Sequence, residues 1–246
     1  MSELLSAKVI QQNLKLILDQ IARACEKCGR TDTPRLVAVG KTFPASQTQY
    51  CYEAGQRHFG ENYVNELEEK SAALKEVCPA IEWHFIGKIQ TNKIKKIVEC
   101  PNLSFVETLD SEKHAQTFQN YCNRLNKTIN VFVQVNTSKE ANKNGLEPTE
   151  VGTLIKFIIE QCPNLVFKGL MTIGSVQESH KTDQNSDFEL MRNIRKEVSN
   201  TVGIPEDEIE LSMGMSGDFP LAIQYGSTNV RVGSVIFGQR YYPPIQ

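Results

Sequence analysis

The hydrophobic pattern switches between two periods along nearly the whole chain. Residues 3–28 carry Ile10, Leu14, Ile17, Leu18, Ile21, Cys25 and Cys28 at helical spacing, which predicts one long amphipathic helix. Short apolar runs bounded by Gly, Pro or Asn then predict strands at about 35–40, 57–60, 82–87, 103–106, 129–135, 166–173, 209–213 and 229–232. Helical patterns fill the gaps: Pro44 to Ala54, Glu61 to Val77 with Val64, Leu67, Leu74 and Val77 on its apolar face, and Gln90 to Glu99. Asp110 or Ser111 caps a helix bearing Ala115, Phe118, Cys122 and Leu125. Pro148 opens another that carries Val151, Leu154, Ile155, Ile158 and Ile159. Ser186-x-x-Glu189 reads as the capping box of a helix through Phe188, Met191, Arg195 and Val198. Asp218 to Tyr225 forms a short helix, residues 175–184 a polar loop, and Gly238 onward a tail.

About eight apolar strands, each followed by a helix, predict a parallel sheet. Eight such units in 246 residues favour a closed (β/α)8 barrel over an open sheet, as a single domain over residues 1–246 with the N-terminal helix plugging or flanking it. Composition changes this picture little. A net charge of -2 gives no general pull toward nucleic acid. No apolar run approaches the roughly 18 residues of a membrane span, and Met1-Ser2-Glu3-Leu4 lacks the basic start of a signal peptide. Seven scattered cysteines read as reduced thiols of a cytoplasmic protein. Cys25-x-x-Cys28 has no second pair to complete a zinc site and reads as helix packing.

The candidate chemistry begins at Leu36-Val-Ala-Val-Gly-Lys41. Lys41 falls just past the carboxyl end of the first strand, the end where barrels bind ligands. An amine that loses hydration among apolar neighbours becomes a better nucleophile toward carbonyls. A lysine simply dissolving in solvent at a strand end is the plainer alternative. The same rim receives Glu61-Asn62, His84 and Gly87, Asn136-Thr137, Met171 to Gly174, Ser212 to Asp218, and Arg231 to Ser234. The last two segments are small and hydroxyl-rich, and strand–helix junctions seven and eight are where barrels commonly hold phosphate. A ligand with both an aldehyde and a phosphate suits this rim, which points to pyridoxal 5'-phosphate (PLP); a Schiff-base sugar-phosphate aldolase is the competing reading. Lys88, Lys93, Lys95 and Lys96 form a basic cluster that reads as a solvated helix face.

Six blocks in order carry a resemblance that covers roughly residues 8 to 240: Leu36 to Lys41, Phe59-Gly-Glu-Asn-Tyr63, Trp83-His-Phe-Ile-Gly87, Gly169-Leu-Met-Thr-Ile-Gly174, Leu211-Ser-Met-Gly-Met-Ser216 and Val230-Arg-Val-Gly233. The chain resembles the pyridoxal phosphate homeostasis protein family, the PLP-binding, proline synthetase co-transcribed type. The resemblance implies a PLP barrel similar to the N-terminal domain of alanine racemase. It implies a Schiff base at Lys41, Asn62 near the ring substituents, and His84 and Met171 lining the pocket. Ser212, Ser216, Gly233 and Ser234 would bind phosphate, and Arg231 would face the pyridine nitrogen. An arginine there stays charged and keeps that nitrogen an acceptor, which makes the ring a poor electron sink; a salt bridge under the barrel mouth is the other reading of Arg231. Gly217 stands where relatives usually have Ala, and Ser234 where some have Thr; both keep the donors.

Racemases of this fold need a second base from a second domain. The chain ends at Gln246, just past strand eight, and Tyr241-Tyr242 in the tail is a poor substitute. The expectation is therefore a monomeric, non-catalytic PLP carrier that gives up its cofactor to a competing amine or an apo-enzyme, with an amino-acid racemase as the alternative. Lys143, in the loop after strand five, is a candidate for holding PLP transiently on its way out.

Overall fold

The computed structural model describes residues 4–138, 144–180 and 183–239. Eight strands close into a barrel in sequence order: β1 (Arg35–Val39), β2 (His58–Glu61), β3 (Glu82–Phe85), β4 (Leu103–Leu109), β5 (Ile129–Gln134), β6 (Leu165–Met171), β7 (Glu210–Ser212) and β8 (Asn229–Val232). Every neighbouring pair is parallel, and β8 returns to β1 with Arg35 opposite Asn229 and Ala38 opposite Val232.

The helices are α1 (Ala7–Lys27), α2 (Ala45–Glu53), α3 (Val64–Leu74), α4 (Ile94–Glu99), α5 (Glu112–Arg124), α6 (Val151–Gln161), α7 (Val176–Ser179), α8 (Ser186–Val202), α9 (Phe219–Gln224) and α10 (Ser234–Phe237). Strand side chains alternate between two faces. One set, including Ala38, Phe59, Trp83, Val131 and Leu211, points outward and forms a continuous apolar layer with the helices. Burial of each large side chain there contributes about 1.5–3 kcal/mol. The other set fills the barrel, with Phe105, Phe132 and Met171 as a small apolar cluster among polar groups. Helix α1 flanks the barrel, packing on α2, α9 and α10, and its Asn13 amide donates to Ile236 O at 3.0 Å.

Several boundaries differ from the sequence reading for local reasons. Glu61 belongs to β2, where it pairs with Phe85, so α3 starts only at Val64. Strand β4 runs on to Leu109 because Glu107 turns into the barrel and is satisfied there. Asn185 rather than Ser186 caps α8: its Oδ1 accepts the Phe188 N–H at 3.1 Å. The polar loop after β6 contains the one-turn helix α7, capped by Ser175. Leu18, Val77, Leu125 and Ile159, read as apolar-face residues, are exposed, as is Cys28, while Cys25 is buried.

Candidate functional site

A cavity of about 130 Å³ opens at the carboxyl ends of the strands, lined by Val39, Lys41, Asn62, Ile86, Met171, Ile173, Met215, Ser216, Arg231, Gly233 and Ser234. It shares Asn62, Ile86 and Ile173 with an adjoining cleft of about 510 Å³. Seven of the nine residues singled out from the sequence line the smaller cavity: Lys41, Asn62, Met171, Ser216, Arg231, Gly233 and Ser234. The chain has brought them from strand ends one, two, six, seven and eight.

His84 and Ser212 lie one layer deeper. Both are inward residues of their strands, both are fully buried, and neither is among the cavity's lining residues. The Ser212 hydroxyl donates to Glu107 Oε2 at 2.6 Å and accepts from Arg231 Nη1 at 2.6 Å and Asn229 Nδ2 at 2.9 Å. Its hydrogen-bonding capacity is used up inside the barrel. His84 stacks on Phe105 with ring centroids 4.1 Å apart, and its Nδ1 donates to Glu107 Oε1 at 2.5 Å. The other imidazole nitrogen meets His58 Nδ1 at 3.1 Å. Burial holds His58 down to about 3, and the neighbouring His84 and Arg35 add to the fall.

Glu107, which the sequence reading passed over, is the centre of this interior network. Burial opposes its ionisation. The hydrogen bond and charge of His84, the charge of Arg231 and the Ser212 hydroxyl outweigh burial and hold it down to about 2. Arg231 is thus anchored from below: Nη1 on Ser212 and Nη2 on Thr172 O at 2.7 Å, with Glu107 as the buried counter-charge. A guanidinium has five N–H donors, so a hydrogen bond remains for whatever occupies the cavity.

The β7 and β8 junctions meet at the cavity. Gly233 N–H donates to Ser216 Oγ at 3.4 Å, and Ser234 Oγ lies 3.5 Å from the same atom. A Cβ on Gly233 would sit 3.0 Å from Val39 O, so glycine lets this junction close against the end of β1 without displacing it. Asp218 is buried, its carboxyl pushed up by desolvation and engaged by Met215 N–H at 2.6 Å. Asn62 Oδ1 is buried with no hydrogen-bond partner among the described residues. Lys41, Arg231, the Ser216 and Ser234 hydroxyls and the Gly233 junction therefore line one small space, a set suited to an anionic ligand.

Of the basic cluster, Lys96 pairs with Glu68 at 3.0 Å and Lys95 with Glu99 at 3.7 Å, whereas Lys88 and Lys93 line the larger cleft. Lys143 and Tyr241-Tyr242 lie outside the described residues. Among the described residues, no cluster of His, Cys, Asp or Glu has the makings of a metal site, and no helix is long and apolar enough to cross a membrane.

The alanine racemase N-terminal domain family matches residues 12–241. The barrel of alanine racemase from Clostridium difficile 630 superposes with a TM-score of 0.67 at 14% identity, covering 94% of this chain and 57% of that one, a likeness of fold. Much nearer relatives define a narrower group. The pyridoxal phosphate homeostasis protein of Caenorhabditis elegans is 47% identical over 241 residues, 97% of this chain and 99% of the relative, and that of Homo sapiens is 48% identical over 213 residues, 85% and 78%. PipY of Synechococcus elongatus PCC7942, solved with PLP bound, has a TM-score of 0.76 at 30% identity and covers 93% of this chain and all of its own. The chain belongs to the pyridoxal phosphate homeostasis protein family, within the larger group built on the alanine racemase N-terminal barrel.

Proposed function

We propose that this chain binds pyridoxal 5'-phosphate in the rim cavity and serves intracellular vitamin B6 homeostasis as a carrier. The observation that carries the reading is the meeting of Lys41, Arg231, Ser216, Gly233 and Ser234 around one space at the strand carboxyl ends. The PLP-bound PipY structure and the homeostasis names of the relatives support it. When bound, PLP supplies an aldehyde that an amine captures reversibly.

Each residue then has a task that its own chemistry dictates. Lys41 supplies the amine from the turn after β1. Ser216, Ser234 and the Gly233 N–H receive the phosphate, and Asn62 lies near the ring substituents. Arg231, fixed from below, donates toward the ring nitrogen and keeps it an acceptor. Met171 packs on the ring. The contiguous 510 Å³ cleft leaves a route by which a second amine approaches Lys41. A preorganised, water-free enclosure is what fast catalysis at such a centre requires, and the open cleft favours transfer over racemisation. The carrier acts as a cytoplasmic monomer, and its acceptors are apo-enzymes that need PLP; neither a nucleic acid nor a membrane is a partner.

The test is a PLP titration followed by absorbance, paired with alanine in heavy water. The wild type should show a saturable absorbance change that is absent in Lys41→Ala, with no α-deuterium appearing in alanine. Alanine deuterated at the rate of PLP release or faster would make the chain an enzyme, and an unchanged spectrum on Lys41→Ala would remove Lys41 from the site.

A further inference from the structure

The turn that carries Lys41 is held on both sides by one buried ionic group. Lys70, on α3, is 4% exposed although it is a lysine. Its Nζ donates to Gly40 O at 2.8 Å, to Glu61 Oε1 at 2.8 Å and to Glu66 Oε2 at 2.9 Å. Glu66 Oε2 in turn accepts the Thr42 N–H at 2.8 Å. The carbonyl before Lys41 and the amide after it are therefore tied to the same ammonium–carboxylate pair.

A second, independent feature lies between those two ties. Thr42 has a φ of 69°. A β-branched residue in the left-handed region is strained, and it stays there only where its surroundings over-determine it. Relaxing Thr42 to an ordinary φ would rotate the backbone next to it and re-aim the Lys41 side chain.

We infer that Lys70 and Glu66 are positioning residues that clamp the backbone on both sides of Lys41 and so aim its amine into the cavity. Three donors on one ammonium suit the clamp, because Lys70 needs every one of them to be buried. Glu61 completes it as the second carboxylate, with Oε1 also lying 3.0 Å from where a Cβ on Gly40 would be. Burial pushes Glu61 up to about 7 while Lys70 pulls it back down.

This inference rests on the PLP reading, and the experiment separates the two. Pyridoxine 5'-phosphate has the ring and the phosphate but no aldehyde, so it engages the cavity without the amine. Glu66→Ala and Lys70→Met are compared with wild type for pyridoxine 5'-phosphate affinity, for the rate of borohydride-trappable PLP attachment, and for hydrogen exchange of the Thr42 amide in the ligand-free protein. In Glu66→Ala, attachment should slow at least about tenfold and the Thr42 amide should exchange at least about tenfold faster, the size of one charge-assisted hydrogen bond. Affinity for pyridoxine 5'-phosphate should stay within about twofold. Lys70→Met should show the same split; should that variant not fold, Glu66→Ala, whose side chain is 27% exposed, decides alone. An unchanged attachment rate in folded Glu66→Ala, or a parallel fall in both ligands, would overturn the clamp. Wild type that binds neither ligand would instead overturn the PLP reading.

Discussion

Glu61 and Glu107 invite comparison because they have the same side chain and the same burial, with no solvent exposure at either, yet they ionise in opposite directions. Glu61 sits behind the Lys41 turn and is pushed up to about 7. Glu107 sits behind Arg231 and is held down to about 2. The difference lies in donors. Glu61 receives a single one, Lys70 Nζ, on Oε1, and its Oε2 has no partner among the described residues. Glu107 receives His84 Nδ1 and Asn229 Nδ2 on one oxygen and the Ser212 hydroxyl on the other. Burial alone raises a carboxyl; a full set of donors and a nearby guanidinium reverses the sign. One wall of the cavity is thus built on a permanent buried charge, and the other on a charge that is lost near neutral pH.

The largest effect should come from breaking the permanent charge. Glu107→Gln keeps the shape but removes the main counter-charge of Arg231, leaving only Asp218, and should cost about 3–5 kcal/mol by urea unfolding. A loss below about 1 kcal/mol would mean that Arg231 is balanced by something else. Next in size is the contrast between two serines that the sequence put in the same role. Ser212→Ala removes a hydroxyl that three interior groups share, and should lower stability by about 1–3 kcal/mol. Ser216→Ala should leave stability within about 0.5 kcal/mol while weakening pyridoxine 5'-phosphate binding about tenfold. The reverse pattern would return Ser212 to the phosphate wall.

A separate effect is the dependence of stability on pH. Glu107 binds fewer protons folded than unfolded, so the stability it contributes is present above its unfolded pKa of about 4.5 and is lost as pH falls from there to about 2. Glu61 has the opposite sign. Its folded pKa is raised, so its folded form holds more protons between about 4.5 and about 7, and stability declines as pH rises through that window. His58, depressed to about 3, adds stability over part of the same range, so the difference between wild type and Glu61→Gln is the quantity to measure. Wild type should lose stability relative to Glu61→Gln as pH rises from 4.5 to 7. A flat difference across that range would show that Glu61 is ionised throughout.

The outward halves of the strands were legible in the sequence because they are apolar, and so were the eight-unit alternation and the strand ends that carry Lys41, Asn62, Met171 and Arg231. The barrel interior was not. Where inward residues are polar, as along Phe105-Val106-Glu107-Thr108-Leu109, the alternation looks like a strand running out into a loop, and the strand is read as ending at Val106. Ser212 lies on the strand the sequence reading gave it, and sequence alone does not say how far below the rim a β7 residue lies. Lys70 left a signal that went unused: it follows Leu67 by three residues and precedes Leu74 by four, on the buried face of α3. A charged residue on that face marks a partner, and here the partners are the groups beside Lys41.

The most direct test of the account is to load the protein with PLP, reduce it with borohydride, digest it, and locate the added mass. The account predicts one modified peptide, with the phosphopyridoxyl group on Lys41 and none on Lys70, Lys88 or Lys93. Label on another lysine with Lys41 unmodified, or no stable label at saturating PLP, would contradict it.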